Sequence, residues 1–203
     1  MIIQPTISTK ISKLGTCIPS INLPPVETCR KDAPCINHCY ARRGNFGFGN
    51  VKNSHVKNLE AYMQNPGAYF EKIKKTLSQN PYTYFRYHSS GDIPDENYLQ
   101  LMCQTATLIK RVKFLCFTKK YEMINEYIIK NGNLPKNLTV VLSNWGDFQC
   151  KNPHNLPIAY VNIKGAKIPE SANKCSGYCG ECVNTKQSCW KLKKGDSVVF
   201  KIH

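Results

Sequence analysis

The chain has 203 residues, 41% of them hydrophobic, which suits one domain over residues 1–203 with a buried core. Its formal charge of +15 points to an anionic partner, nucleic acid being the commonest. Apolar runs such as Val140 to Leu142 fall far short of the ~20 residues of a membrane span, and Met1 to Gly15 lacks the apolar centre of a signal peptide. A cytoplasmic protein with no membrane partner is therefore expected.

Residues 1–28 read as irregular or edge structure, because Pro19, Pro24 and Pro25 break any helix. Residues 29–49 are cysteine-rich, then glycine-rich. Residues 50–165 read as a β/α core. Val56, Leu59, Tyr62 and Met63 recur at helical spacing before Pro66. A second helix is expected over 66–79, with Pro66 in its first turn and Tyr69, Phe70, Ile73 and Leu77 on one face. Tyr82 to His88 reads as a strand, ending at Ser89-Ser90-Gly91-Asp92. Residues 95–111 read as a helix with Tyr98, Leu101, Met102, Thr105, Leu108 and Ile109 inward. Val112 to Thr118 reads as a strand and 119–131 as a helix closed by Gly132. Leu138 to Ser143, Ile158 to Ile163 and Ser197 to Ile202 complete the strands.

Alternating strands and helices predict an α/β fold, a partial or open (β/α) barrel with mostly parallel strands. In such folds reactive groups lie beyond the carboxyl ends of the strands. His88, Ser90 and Asp92, then Thr118 and Lys119, then Ser143 and Asn144, occupy those places. Arg86 and His88 flank Tyr87 on one strand, so the alternation puts both on one face. A buried Arg86 needs an anion, either Asp92 or a bound carboxylate. His88 is either a donor to a site or a satisfied core histidine.

Eleven cysteines, an odd number in a chain without an export signal, favour metal over disulfides. Cys29, Cys35 and Cys39 form C-x5-C-x3-C, with Cys17 upstream as a possible fourth ligand and His38 beside them. Three thiolates leave a metal one open position. Cys175, Cys179, Cys182 and Cys189 form C-x3-C-x2-C-x6-C over residues 175–190. Four ligands at that spacing are a strong metal signal, although spacing does not choose zinc over iron–sulfur. Cys103 and Cys116 read as buried apolar residues, and Cys150 more as packing than as ligand. Lysines are scattered and no groove-reading motif accompanies them, so nucleic-acid contact is expected without sequence specificity. Part of the lysine excess also fits AT-rich coding.

The order Leu23-Pro24-Pro25, Cys29, Cys35, Cys39-Tyr40-Ala41, then Phe85 to Asp92, then Phe117-Thr118-Lys119, Cys179-Gly180-Glu181-Cys182 and Val199 to His203 resembles the gene-product-88 family of phages and mobile elements. The same layout looks like a shortened radical S-adenosylmethionine fold. That resemblance implies one or two [4Fe–4S] clusters, the first on Cys29, Cys35 and Cys39 with one iron open. It implies that Ser90, Gly91 and Asp92 form the turn receiving the amino group of S-adenosylmethionine; Thr118 and Ser143, by their place at strand ends, are expected as further cofactor contacts. Asp92, His88 and Arg86 are then the catalytic candidates. The turn reads Ser-Gly-Asp where that superfamily has Gly-Gly-Glu. The alternative is a non-catalytic zinc or iron–sulfur domain that binds DNA or RNA. Two features separate the readings: whether Cys17 closes the first set, and whether Asp92 faces a cavity.

Overall fold

The computed structural model describes residues 2–202 except Ser12 and Asp147. His203, the end of the last sequence motif, lies outside the described residues. Seven strands form one open, all-parallel sheet. They are β1 (Ser20–Ile21), β2 (Tyr84–Tyr87), β3 (Lys113–Thr118), β4 (Leu138–Ser143), β5 (Ile158–Asn162), β6 (Asn173–Lys174) and β7 (Ser197–Lys201). The order is β1-β2-β3-β4-β5-β7-β6, so the last strand inserts between β5 and β6. The helices are α1 (Gly49–Gln64), α2 (Pro66–Gln79), α3 (Glu96–Leu108), α4 (Tyr121–Asn131) and the single turn α5 (Cys179–Cys182). Among the described residues no helix is long and apolar enough to cross a membrane.

Strand alternation sorts side chains between the two faces of the sheet. Phe85, Tyr87, Phe114, Cys116, Val140 and Leu142 join a core with residues of α1 to α4. Leu115, Val141, Ala159 and Val198 face the other way, against Leu14, Ile18, Trp190 and Leu192. The four long helices thus cover one face. The other is covered by the N-terminal loop and the second cysteine segment. Trp190 anchors that cover: its ring packs edge-on to Tyr84 and its Nε1–H donates to the Phe85 carbonyl at 3.3 Å.

Local chemistry sets the helix bounds. Asn65 caps α2 by accepting from the Ala68 amide, and Asp95 caps α3 by accepting from the Tyr98 amide. Gly132, at φ +85°, closes α4. Two helix faces differ from expectation. Helix α1 buries His55, Asn58, Ala61 and Tyr62, and leaves Val56 and Met63 exposed. The cause is Asn58, whose amide group bonds Thr6 and Asn22 and turns this face toward the N-terminal segment. Helix α3 turns Leu99, Cys103 and Ala106 inward and Leu108 out.

Candidate metal and ligand site

The turn after β2 is clasped by the loop after β1. The Ser89 amide donates to Asn22 Oδ1 at 2.7 Å, and the Leu23 amide donates to the Ser90 carbonyl at 3.0 Å. Ser90 Oγ donates back to the Leu23 carbonyl at 3.1 Å. The Asp92 amide donates to Thr28 Oγ1 at 3.0 Å, fixing the residue before Cys29. The Asp92 carboxylate accepts from the Lys119 amide at 3.0 Å and from its neighbour Ile93 at 2.8 Å. Burial pushes its pKa up, while these amides and the Thr118 hydroxyl pull it back. Thr118 is itself buried and accepts from the Lys120 amide. Ser90, Asp92 and Thr118 therefore spend their polar atoms joining the ends of β1, β2 and β3. Val26, at φ +70°, is held within the same clasp, a conformation costly for a β-branched residue.

Arg86 and His88 lie on opposite sides, which corrects the shared face expected from alternation. Strand β2 ends at Tyr87, and His88 adopts φ +59°. That left-handed residue breaks the alternation and swings the imidazole into the helix-side core. There its Nε2 lies 3.0 Å from the Tyr98 hydroxyl. Arg86 points to the other face, over the Phe117 ring at 5.0 Å, and is 9% exposed. No ion pair links it to Asp92 or to any other described carboxylate.

Burial lowers the His88 pKa from 6.5 to about 3. The unfolded chain takes up a proton as pH falls through 6.5, and the folded chain does so only near 3. Stability is therefore full above that upper value and is lost on acidification. His88 alone is expected to cost about 2 kcal/mol between pH 7 and pH 5. His55, also lowered by burial, acts in the same direction. Asn tolerates positive φ, so His88→Asn should fold and lose most of this acid sensitivity. Urea midpoints at the two pH values check it.

A pocket of about 170 Å³ opens at the carboxyl ends of β2 to β5 and β7. Arg86, Phe117, Lys119, Ser143, Trp145 and Phe200 line it, and Cys35 and Cys39 form part of its rim. Asp92, His88, Ser90, Gly91 and Thr118 are not among the lining residues. Of the expected cofactor contacts only Ser143 faces it. Exposed His38 stacks on Trp145, with ring centroids 6.1 Å apart. Sequence reading missed Lys13, Tyr40, Trp145, Phe200 and Lys201 as lining residues. Their only signal was position near a strand end or a cysteine.

The second cysteine set borders a separate pocket, lined by Cys175, Cys179, Cys182 and Cys189 together with Arg86 and Trp190. Arg86 thus touches both pockets. All described cysteines are unpaired as disulfides. Burial pushes Cys189 up to about 12 and raises Cys179, with the other thiols of the set adding to it and Arg86 opposing. Cys29 is pushed up to about 11, first by burial, then by Asp92, with Cys39 and Cys35 adding. Burial is the leading cause at each of these three thiols, and neighbouring thiols add to it. Among the described residues no group of three His, Cys, Asp or Glu side chains stands ready to hold a metal ion. Exposed Cys17 lies two residues beyond Gly15, which packs on Tyr178 and Gly180 of the second segment. Cys103 and Cys116 are buried as expected, and Cys150 packs against the helix-side core.

A model of the gene product 88 family matches residues 4–177. No curated protein and no solved structure matches the chain.

Proposed function

The chain belongs to the gene product 88 family, and for it we propose an iron–sulfur protein with two cysteine-held centres on either side of Arg86. Cys175, Cys179, Cys182 and Cys189 would hold one. Cys29, Cys35 and Cys39 would hold a [4Fe–4S] cluster at the rim of the larger pocket. The observation that carries the reading is that four cysteines, spread over fifteen positions of sequence, line one pocket together with a buried guanidinium. Thiols held neutral by burial, with neighbouring thiols adding to it, are what a cation would ionise. When bound, a cluster on three cysteines supplies an iron with an open position for S-adenosylmethionine and a route for an electron.

The chain's own residues then have separable tasks. Arg86 opposes the negative charge of Cys179 and Cys189. Asp92, through Thr28, positions Cys29. Helix-side packing holds His88 away from the pocket, so it orders the turn instead of moving protons. Reduced, anaerobically reconstituted protein should change its electron paramagnetic resonance signal when S-adenosylmethionine is added, and should not do so once Cys35 and Cys39 are replaced.

An unchanged signal would favour a second reading, a non-catalytic zinc or iron–sulfur domain that binds DNA or RNA. One observation supports that reading directly. The Asp92 carboxylate accepts from two backbone amides and Asp92 does not line the pocket, so it is not presented to a cofactor's amino group there.

A further inference from the structure

We propose that the pocket at the carboxyl ends of the strands binds a nucleotide, its phosphate held by Arg86, Lys119, Lys13 and Lys201 and its base laid against Trp145. This goes beyond the metal reading and does not rest on it.

The charge of the pocket is one-sided. Four cationic side chains line it, and no described Asp or Glu does. None of the four is in an ion pair with a described carboxylate. Arg86 is the strongest indication. It is 9% exposed, borders the pocket, and its buried Nε has no hydrogen-bond partner. A planar guanidinium buried in this way matches the oxygens of a phosphate. The Lys119 side chain is in no described hydrogen bond or ion pair, its backbone amide being the group bonded to Asp92.

The rest of the lining is flat and apolar. Phe117 and Phe200 pack edge to face, with Arg86 over one ring and Lys13 over the other at 5.4 Å. Trp145 and His38 lie within 14° of parallel at the rim. Aromatic faces beside a cationic floor are the combination that takes a base and its phosphate together. A small anion alone would leave the aromatic wall unused. A free nucleotide and the terminal nucleotide of a strand share this chemistry.

The test is titration of the whole protein as purified, read by tryptophan fluorescence and by calorimetry, with metal assayed on each sample. AMP or GMP should bind saturably, and adenosine and inorganic phosphate should each bind at least about tenfold more weakly. Lys119→Ala and Lys13→Ala should each weaken AMP or GMP about three- to tenfold, and Arg86→Gln by more than about tenfold. If Arg86→Gln does not fold, the Lys13→Ala/Lys119→Ala double variant decides. A 5′-phosphorylated oligonucleotide binding more tightly than the mononucleotide identifies a strand end as the source, and equal binding identifies the free nucleotide. Absence of saturable binding, equal affinity for adenosine and AMP, or indifference to the lysine variants overturns the site. Such a failure in metal-loaded protein leaves the cluster reading standing.

Discussion

Gly91→Ala should destabilise the protein by at least about 3 kcal/mol, and much of the protein should be recovered insoluble. Two independent penalties meet at this position. The backbone sits at φ +80°, where an L side chain is strained. A Cβ would also lie 2.7 Å from the Leu23 carbonyl oxygen, 2.8 Å from Leu23 Cβ and 2.8 Å from Thr28 Oγ1. Two of those three atoms cannot swing aside. Leu23 is fully buried, and its amide and carbonyl are both bonded to Ser90. Relief would require the whole loop after β1 to withdraw, carrying with it the Thr28 bond that positions Cys29. Gly132→Ala is the control. It shares a left-handed φ of +85° with nothing within 4 Å of the added carbon, so it carries the strain alone. Urea unfolding of both variants separates the clash from the strain, and similar losses at the two glycines would contradict the clasp.

The second large effect is expected from the second cysteine set. Cys179→Ser with Cys182→Ser should abolish one metal centre and lower stability by about 3 kcal/mol or more. The segment around these residues covers the face of the sheet opposite the long helices, yet little regular structure holds it. Short α5, the Cys179 amide on the Lys13 carbonyl at 2.8 Å and the Cys175 amide on the Val199 carbonyl at 2.9 Å are its main backbone ties. Metal bound there would be folding energy for the cover over Leu115, Val141 and Val198. Cys35→Ser with Cys39→Ser should remove the other centre at a cost of only about 1 kcal/mol, because those residues sit in a surface segment outside both cores.

The sequence made the helix-side half of the fold readable and left much of the pocket hidden. Helix α2 and strand β4 fall on their expected bounds, because a cap, a proline and clean periodicity mark them. Strand β1 has two residues and β6 is the polar pair Asn173–Lys174, too short for alternation to register. The insertion of β7 between β5 and β6 is long-range pairing that no local pattern encodes. Position after a strand singled out Lys119 and Ser143, and both line the pocket. Asp92 and Thr118 also follow strands but do not line it, and bond neighbouring backbone instead. His88 was misplaced for a different reason. Strand periodicity assumes an extended backbone, and its positive φ ends that assumption one residue early.

The central claim is that both cysteine sets hold iron–sulfur clusters, and its most direct measurement is iron, zinc and acid-labile sulfide content on anaerobically purified protein. Wild type and the two paired cysteine variants should be assayed together, each with an absorption spectrum. Two clusters predict brown wild-type protein with about eight iron and matching sulfide, falling to about four in either variant. Colourless protein without iron or sulfide, or metal content unchanged by either pair of substitutions, would contradict it.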